Sequence, residues 1–142
     1  MKKSIFLCSS MNFYRELIKI ESQLICRGYT VHIPISAQRM KKQNDFDVSH
    51  FKDVFTHTQK GIFIQQNFTK ISESDAILVI NNEKQGVNGY IGPNVLMEIG
   101  LAFFCQKQIY LLNPIPREAP YAEELLAFGV KVIDQQLDLI HI

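Results

Sequence analysis

The feature that most constrains the fold of this chain is the alternation of short, uninterrupted apolar runs with longer stretches of helical periodicity. The run Ala76–Ile80 (AILVI) is apolar at every position, which is typical of a central parallel strand covered on both faces. Comparable runs predict four further strands, at 4–9, 29–33, 108–112 and 130–133. Helical periodicity predicts the connecting helices, at 12–27, 58–73, 93–106 and 121–128.

Parallel strands joined by helical crossovers form a sheet with helices on both faces, because such crossovers are right-handed and must cover the sheet. We therefore predict an α/β fold, namely a flavodoxin-like or Rossmann-like, doubly wound, five-stranded parallel sheet in the order 2-1-3-4-5. In such sheets a ligand lies beyond the carboxyl ends of the strands at the topological switch point, here between the first and third strands. Small polar residues leave these carboxyl ends, namely Ser9, Ser10, Asn81, Asn82 and Asn113.

The segment 34–50 is polar and basic and shows no clear period. It therefore predicts a loop, and a loop of this length inside a compact domain is often a functional lid. Its cations Arg39, Lys41 and Lys42 could close over a phosphate or could be ordinary solvated charges.

The helix boundaries are predicted from capping residues and glycines. In the first helix, Ser10 or Asn12 is expected to cap the start and Gly28 to follow the end. The second predicted helix is expected from Thr58 onward, and a start as early as Phe51 stays open.

Composition is consistent with one ordinary domain. A chain of 142 residues with 46% hydrophobic and 20% charged residues is expected to form a single domain over 1–142 that buries its own core. The net charge of +1 argues against a protein that coats a nucleic-acid polymer or a membrane. Ten basic but only five acidic residues precede position 61, and this polarity could attract a small anionic ligand.

The cysteines and histidines show no metal-binding pattern. Cys8, Cys26 and Cys105 lie in apolar surroundings without a CxxC pair, and we expect reduced core residues of a cytoplasmic protein. The four histidines form no HxxxH or HxH spacing, so we expect neither a metal site nor a metal cofactor. No apolar stretch approaches the roughly 20 residues of a transmembrane helix.

The segment 89–102 (GYIGPNVLMEIGLA) combines a glycine-rich turn with an apolar helix. Gly89 and Gly92 allow positive φ angles and close approach of a ligand. Glu98 is the only charged residue from 95 to 105, so its carboxylate is expected to be at least partly desolvated. A perturbed carboxylate beside a cleft is a candidate catalytic group, although Glu98 could equally reach solvent at the helix edge or cap a neighbouring element.

Three stretches of the chain, SDAILV at 74–79, GYIGPNVLMEIGLAF at 89–103 and IYLLNPIP at 109–116, resemble the nucleoside 2-deoxyribosyltransferase-like superfamily. The similarity is to a poorly characterised bacterial branch with a GxNxxxE(I/M)G-type motif, and it extends over nearly the full length. In this superfamily the Glu of the E-x-G segment is the nucleophile, so the resemblance implies that role for Glu98. It also implies a nucleoside or nucleotide as small-molecule partner, no cofactor, and a homo-oligomer.

The implied activity is cleavage or transfer at the N-glycosidic bond of a (deoxy)nucleoside or nucleoside 5′-monophosphate. The Glu98 carboxylate would attack C1′, and water or a second base would resolve the glycosyl-enzyme. The superfamily often has Asp at the positions that Asn67 and Gly92 occupy here, which leaves open a non-catalytic nucleotide-binding or sensor domain. A phosphoribohydrolase-like enzyme ranks lower because the chain has no PGGxGTxxE run.

The residues expected to contact the substrate, besides the nucleophile, are Ser9, Ser10, Asn67, Asn81, Tyr90, Gly92 and Asn94. Ser9 and Ser10 resemble, by position, a sugar- or phosphate-binding loop after the first strand, and Ser10 could instead be only an N-cap. Tyr90 could stack on a base, orient Glu98 or lie at an interface.

Other residues have weaker functional interpretations. Tyr14 is expected to be a core or groove aromatic, and Asp75 a residue of the turn between helix and strand. His50 or His57 could supply an acid for the leaving base. The pair Phe103-Phe104 could form an interface between copies.

Overall fold

The structure is a computed structural model that describes residues 1–51 and 56–142. Its centre is a five-stranded, all-parallel sheet in the order β2-β1-β3-β4-β5, which confirms the predicted fold class and strand order. The strands are β1 (Ser4–Ser9), β2 (Thr30–His32), β3 (Ala76–Ile80), β4 (Gln108–Leu111) and β5 (Lys131–Val132).

Helices connect the strands and cover the sheet. They are α1 (Tyr14–Cys26), α2 (Ile35–Gln43), α3 (His57–Glu73), α4 (Pro93–Phe104) and α5 (Ala122–Ala127). Short 3₁₀ turns lie at Met11–Phe13, Val48–Phe51 and Leu137–Leu139.

The two faces of the sheet form two separate cores, because successive strand residues point to opposite sides. On one side, Leu7 and Leu78 pack in a cluster with residues of α1 and α2. On the other side, Cys8 and Val79 pack in a cluster with residues of α3, α4 and α5. This alternation places Cys8, near the carboxyl end of β1, on the side of the sheet that α4 covers.

The prediction that 34–50 is a loop was wrong, because α2 occupies Ile35–Gln43. Ala37 and Met40 are fully buried against the core and hold the helix in place, although its remaining residues are mostly polar. Two apolar residues are too few to produce a periodic pattern in the sequence, so packing against the core decides this helix. It ends at Asn44, whose φ of 49° is left-handed, as is common at helix C-termini.

The start of the first helix also differs from the prediction. Neither Ser10 nor Asn12 caps α1, since a 3₁₀ turn precedes the helix and no side chain bonds its first N–H groups. The Ser10 hydroxyl instead donates to Asn12 Oδ1 at 3.3 Å. Gly28 follows the end of α1 with a φ of 95°, as predicted.

Helix α3 begins with a capping box, in which Thr56 accepts from the Gln59 N–H and the Gln59 side chain accepts from the Thr56 N–H. The earlier start that the sequence left open would fall on residues 52–55, which lie outside the described residues.

The cysteines do not all lie in the core. Cys8 is buried, but Cys26 is exposed at the end of α1 and Cys105 is half-buried, so the core prediction was wrong for Cys26. In the described part of the chain, no helix has both the length and the apolar character that crossing a bilayer requires.

Candidate active site

A cavity of about 640 Å³ opens at the carboxyl end of β1 and the amino end of α4. Its size is within the range of about 300–1,000 Å³ that is usual for small-molecule sites. The walls come from the residues after β1, from one face of α3, from the loop between β3 and α4, and from the first turns of α4. The cavity therefore lies at the topological switch point, as the strand order requires.

Glu98 lies on the cavity wall although only 7% of the residue is exposed. It is buried because α4 packs its neighbours Val95, Ile99 and Ala102 into the core beneath the sheet. Within residues 1–51 and 56–142, its Oε2 atom has no hydrogen-bond partner. Burial raises the pKa of this carboxyl from its ordinary value of 4.5 to about 7, because a buried carboxylate loses the hydration that stabilises its charge.

Cys8 lies next to Glu98 and acts against this shift, since a hydrogen bond from its thiol lowers the pKa of Glu98. Burial and the Glu98 charge in turn raise the pKa of the Cys8 thiol well above its ordinary value. Cys8 therefore stays protonated and can act as a donor. The sequence predicts only a core residue at this position, whereas strand alternation and the β1-β3 pairing place Cys8 beneath α4.

Tyr14 also lines the cavity and is buried. Its hydroxyl lies 2.6 Å from Ser36 Oγ, and burial raises its pKa, so the phenol is neutral at all ordinary pH values. Ser36 belongs to α2, which was not predicted, so the sequence could not indicate this pair.

Most of the residues that the sequence predicted to bind substrate lie together on the walls of this cavity with Glu98. They are Ser9, Ser10, Asn67, Tyr90, Gly92 and Asn94. Asn67 also accepts a hydrogen bond of 3.3 Å from the Ile35 N–H, and so joins α3 to the start of α2.

Asn81 does not line the cavity. It is fully buried, and its side chain donates to Asn113 O at 3.0 Å and accepts from the Asn113 N–H at 2.9 Å. Asn81 therefore holds together the loops that follow β3 and β4, which is a structural role.

The two glycines of the turn before α4 differ in conformation. Gly89 has a φ of 70°, and a Cβ there would lie 2.6 Å from Pro114 O. Glycine is therefore required at this position because the backbone of Pro114 passes close to it. Gly92 precedes α4 with a φ of −82°, so it does not use the positive φ that glycine allows.

Several ionisable residues that the sequence suggested as ligand or acid candidates do not line the cavity. His50 is exposed and bonds Asp45 at 2.7 Å, and neither it nor His57 lines the cavity. Lys41 pairs with Glu21 at 2.8 Å, and Arg39 lies over the Phe63 ring at 5.2 Å.

Asp75 lies at the amino end of β3, the opposite edge of the sheet from the cavity. Its carboxylate accepts from the Ser4 N–H at 2.8 Å, and this bond lowers its pKa. Asp75 is thus the turn residue that the sequence allowed.

Among the described residues, Glu98 is the only acidic side chain on the cavity wall, and no group of three or more His, Cys, Asp or Glu side chains could hold a metal ion.

Lys84 is a cavity residue that the sequence analysis missed. It lies in the loop after β3, and its ammonium donates to Ser10 Oγ at 3.3 Å and lies 4.7 Å from the centre of the Tyr90 ring. The turn-forming residues around it could have indicated a fixed position at this edge of the sheet.

Three solved structures resemble this fold. A 2-deoxyribosyltransferase from Bacillus psychrosaccharolyticus matches 76% of this chain and 70% of its own at 17% identity, with a TM-score of 0.55. A CMP N-glycosidase from Clostridium botulinum matches 92% of this chain and 87% of its own at 18% identity, with a TM-score of 0.56. A 2-desoxiribosyltransferase from Leishmania mexicana matches 94% of this chain and 75% of its own at 13% identity, with a TM-score of 0.51.

No protein-family model matches the sequence, and no curated protein matches it either. At identities below 20%, the three likenesses concern the fold. The chain thus shares the fold of these three enzymes, which confirms the fold that the sequence resemblance implied.

Proposed function

We propose that this protein cleaves, or transfers a sugar at, the N-glycosidic bond of a (deoxy)nucleoside or nucleoside 5′-monophosphate, with Glu98 as the nucleophile. The observation that carries the proposal is the buried carboxylate of Glu98 on the wall of a cavity large enough for a nucleotide. The enzymes that share the fold support it, because they are 2-deoxyribosyltransferases and a CMP N-glycosidase.

The chemistry takes two displacements at C1′ of the sugar. A Glu98 oxygen bonds to C1′ while the C1′–N bond breaks, and the bonding electrons leave with the base, which gains a proton. Water or the nitrogen of a second base then attacks C1′ and breaks the bond to Glu98, which restores the carboxylate. Two inversions retain the configuration at C1′, as in retaining glycoside hydrolysis.

The first step requires Glu98 to be ionised. With a pKa of about 7, both the ionised and the protonated forms of Glu98 are populated near neutral pH, and the raised pKa also makes the carboxylate a stronger base and nucleophile. The Cys8 thiol supports the ionised form by donating to it.

One part of the cavity wall suits the flat ring of a base. Three aromatic residues, Phe51, Phe63 and Phe68, line the cavity, and Asn67 lines it from the same helix as Phe63 and Phe68. Aromatic rings can stack on a base, and an amide can donate to or accept from its edge. We assign the base to this wall and the sugar to the neighbourhood of Glu98.

The direct test incubates the protein with a panel of nucleosides and nucleoside 5′-monophosphates and measures the released free base by chromatography. We expect base release by the wild type and a loss of at least about 1,000-fold in Glu98→Gln, since a nucleophile supplies a large part of such catalysis. Glu118→Gln, the same chemical change at an exposed loop residue, is the matched control and should leave the rate unchanged. Equal release by the wild type and Glu98→Gln would disprove the mechanism.

A second candidate function is a nucleotide-binding or sensor domain without turnover. It is favoured by the cavity wall, where Glu98 is the only acidic side chain among the described residues. A general acid typically contributes about 100- to 10,000-fold to a rate, so its loss could leave binding without catalysis. Tight nucleotide binding with no base released after long incubation would support this function over the enzyme.

The superfamily resemblance also implies a homo-oligomer, and we propose this assembly for the protein in solution. Sedimentation velocity over a range of concentrations tests it, since a species of monomer mass at all concentrations would contradict it.

A further inference from the structure

Lys84 is a half-buried cation on the cavity wall. Within residues 1–51 and 56–142, no ion pair includes it. Its contacts are a hydrogen bond to Ser10 Oγ at 3.3 Å and the face of Tyr90 at 4.7 Å. A lysine ammonium has three donors, so these contacts leave capacity for an anionic ligand.

The loop around Lys84 fixes the position of this cation. Lys84 and Val87 exchange backbone hydrogen bonds of 3.0 and 2.9 Å across a two-residue turn. The central residues Gln85 and Gly86 both have positive φ angles, of 51° and 81°, as in the tight turns of hairpins. The Tyr90 N–H also donates to Asn82 O at 3.0 Å, so the loop is closed at its base and presents Lys84 to the cavity in advance of binding.

Neutral donors lie beside the ammonium. Ser10 accepts from Lys84 and donates to Asn12 Oδ1 at 3.3 Å, and all three residues line the cavity. Both bonds are longer than the usual optimum, so a stronger acceptor can replace them. The group thus combines an ammonium, a hydroxyl and an amide, which are typical ligands of phosphate oxygens.

We propose that Lys84, together with Ser10 and Asn12, binds the 5′-phosphate of the substrate and makes the nucleoside 5′-monophosphate the preferred substrate over the free nucleoside. This inference rests on the proposed function of the same cavity, which holds Lys84 and Glu98 on its walls and can therefore accommodate both ends of one ligand. A charge-assisted hydrogen bond contributes about 10- to 100-fold to affinity. Lys84 therefore determines specificity, while the reacting atoms lie at Glu98.

The test compares kcat/KM for nucleosides and their 5′-monophosphates in the wild type, in Lys84→Met and in Lys19→Met. Lys19 is an exposed cation on α1 that does not line the cavity, so its replacement removes the same charge away from the ligand. We expect the wild type to prefer the monophosphate by at least about tenfold, and Lys84→Met to lower this ratio by about 10- to 100-fold. We expect Lys19→Met to leave the ratio within about twofold, as for a screened surface charge.

A binding measurement separates failure of this inference from failure of the proposed function. Titration calorimetry of the same nucleosides and monophosphates is performed with Glu98→Gln and with the double variant Glu98→Gln/Lys84→Met. Monophosphate binding that weakens in the double variant, with nucleoside binding unchanged, supports the phosphate site even if no enzyme form releases base. Equal loss for both ligand classes, or no monophosphate binding at all, overturns it, since Lys84 would then only support Tyr90.

Discussion

Replacing Glu98 by Gln should make the protein more stable at neutral and alkaline pH, because the wild type must bury a charge there. The pKa of Glu98 rises from 4.5 to about 7 on burial. Between these two values the folded protein binds more protons at this site than the unfolded chain. The free energy of unfolding therefore falls as pH rises, and the loss is complete above the folded pKa.

The size of the effect follows from the shift. A raised pKa of this size corresponds to about 3 kcal/mol of lost stability when the carboxyl is fully ionised. Glutamine has the same shape but no charge, so the difference in unfolding free energy between Glu98→Gln and the wild type should grow by about 2–3 kcal/mol between about pH 5 and about pH 8.

Urea unfolding of both proteins across this pH range measures the difference directly. Other titrating groups, such as the Asp45-His50 pair, contribute equally to both proteins and cancel. Glu118→Gln makes the same chemical change at an exposed position and is the matched control. A pH-dependent difference for Glu98→Gln that is no larger than the one for this control would refute the assignment of a buried carboxyl with a raised pKa. A difference that shrinks with pH would mean that the site stabilises the ionised form.

Three further predictions concern the same region. The pH profile of kcat/KM should rise with pH to a plateau with a midpoint near 7, the pKa of Glu98 in the free enzyme; a rate that falls over this range would indicate that Glu98 acts as an acid instead. Cys8→Ala removes a donor to Glu98 and should move that midpoint to higher pH, whereas an unmoved midpoint would show that the thiol does not stabilise the carboxylate. Gly89→Ala should destabilise by about 1–3 kcal/mol in urea unfolding, because the new Cβ would lie 2.6 Å from Pro114 O at a positive φ. Its control, Gly61→Ala in α3 where a Cβ meets nothing within 4 Å, should instead stabilise by about 0.5–1 kcal/mol.

Some elements were predictable because their signal is local. β3 is apolar at all five positions, and its short length and β-branched residues favour a buried strand over a buried helix. α4 was predictable for a similar reason, since its first residue is Pro93 and its interior is apolar, with Glu98 as the exception. The strand order was predicted by analogy with the common flavodoxin-like order, since the crossover rule fixes the handedness of each connection and leaves the order open.

Other elements depended on contacts between distant residues. α2 has two buried apolar residues, Ala37 and Met40. Its sequence resembles a loop because these two residues are too few to show helical periodicity, and the helix forms because they pack into the core. Asn81 was predicted to contact the ligand because it follows a central strand, but its side-chain amide is hydrogen-bonded to the backbone of Asn113. A sequence cannot distinguish these two uses of an asparagine, since both require a polar side chain at the end of a strand.

The sequence by itself determined the parallel sheet with its helical crossovers and the presence of one carboxylate in an apolar helix, because hydrophobic periodicity and connection rules are local properties. The strand order and the switch point were predicted by analogy with a common doubly wound fold. The tertiary structure alone decided what surrounds that carboxylate. It placed the Cys8 thiol beside Glu98, brought α2 and α3 together through Asn67, and set Lys84 against Ser10 on the cavity wall. These contacts join residues far apart in the chain, and only the packing of the sheet and helices fixes their distances.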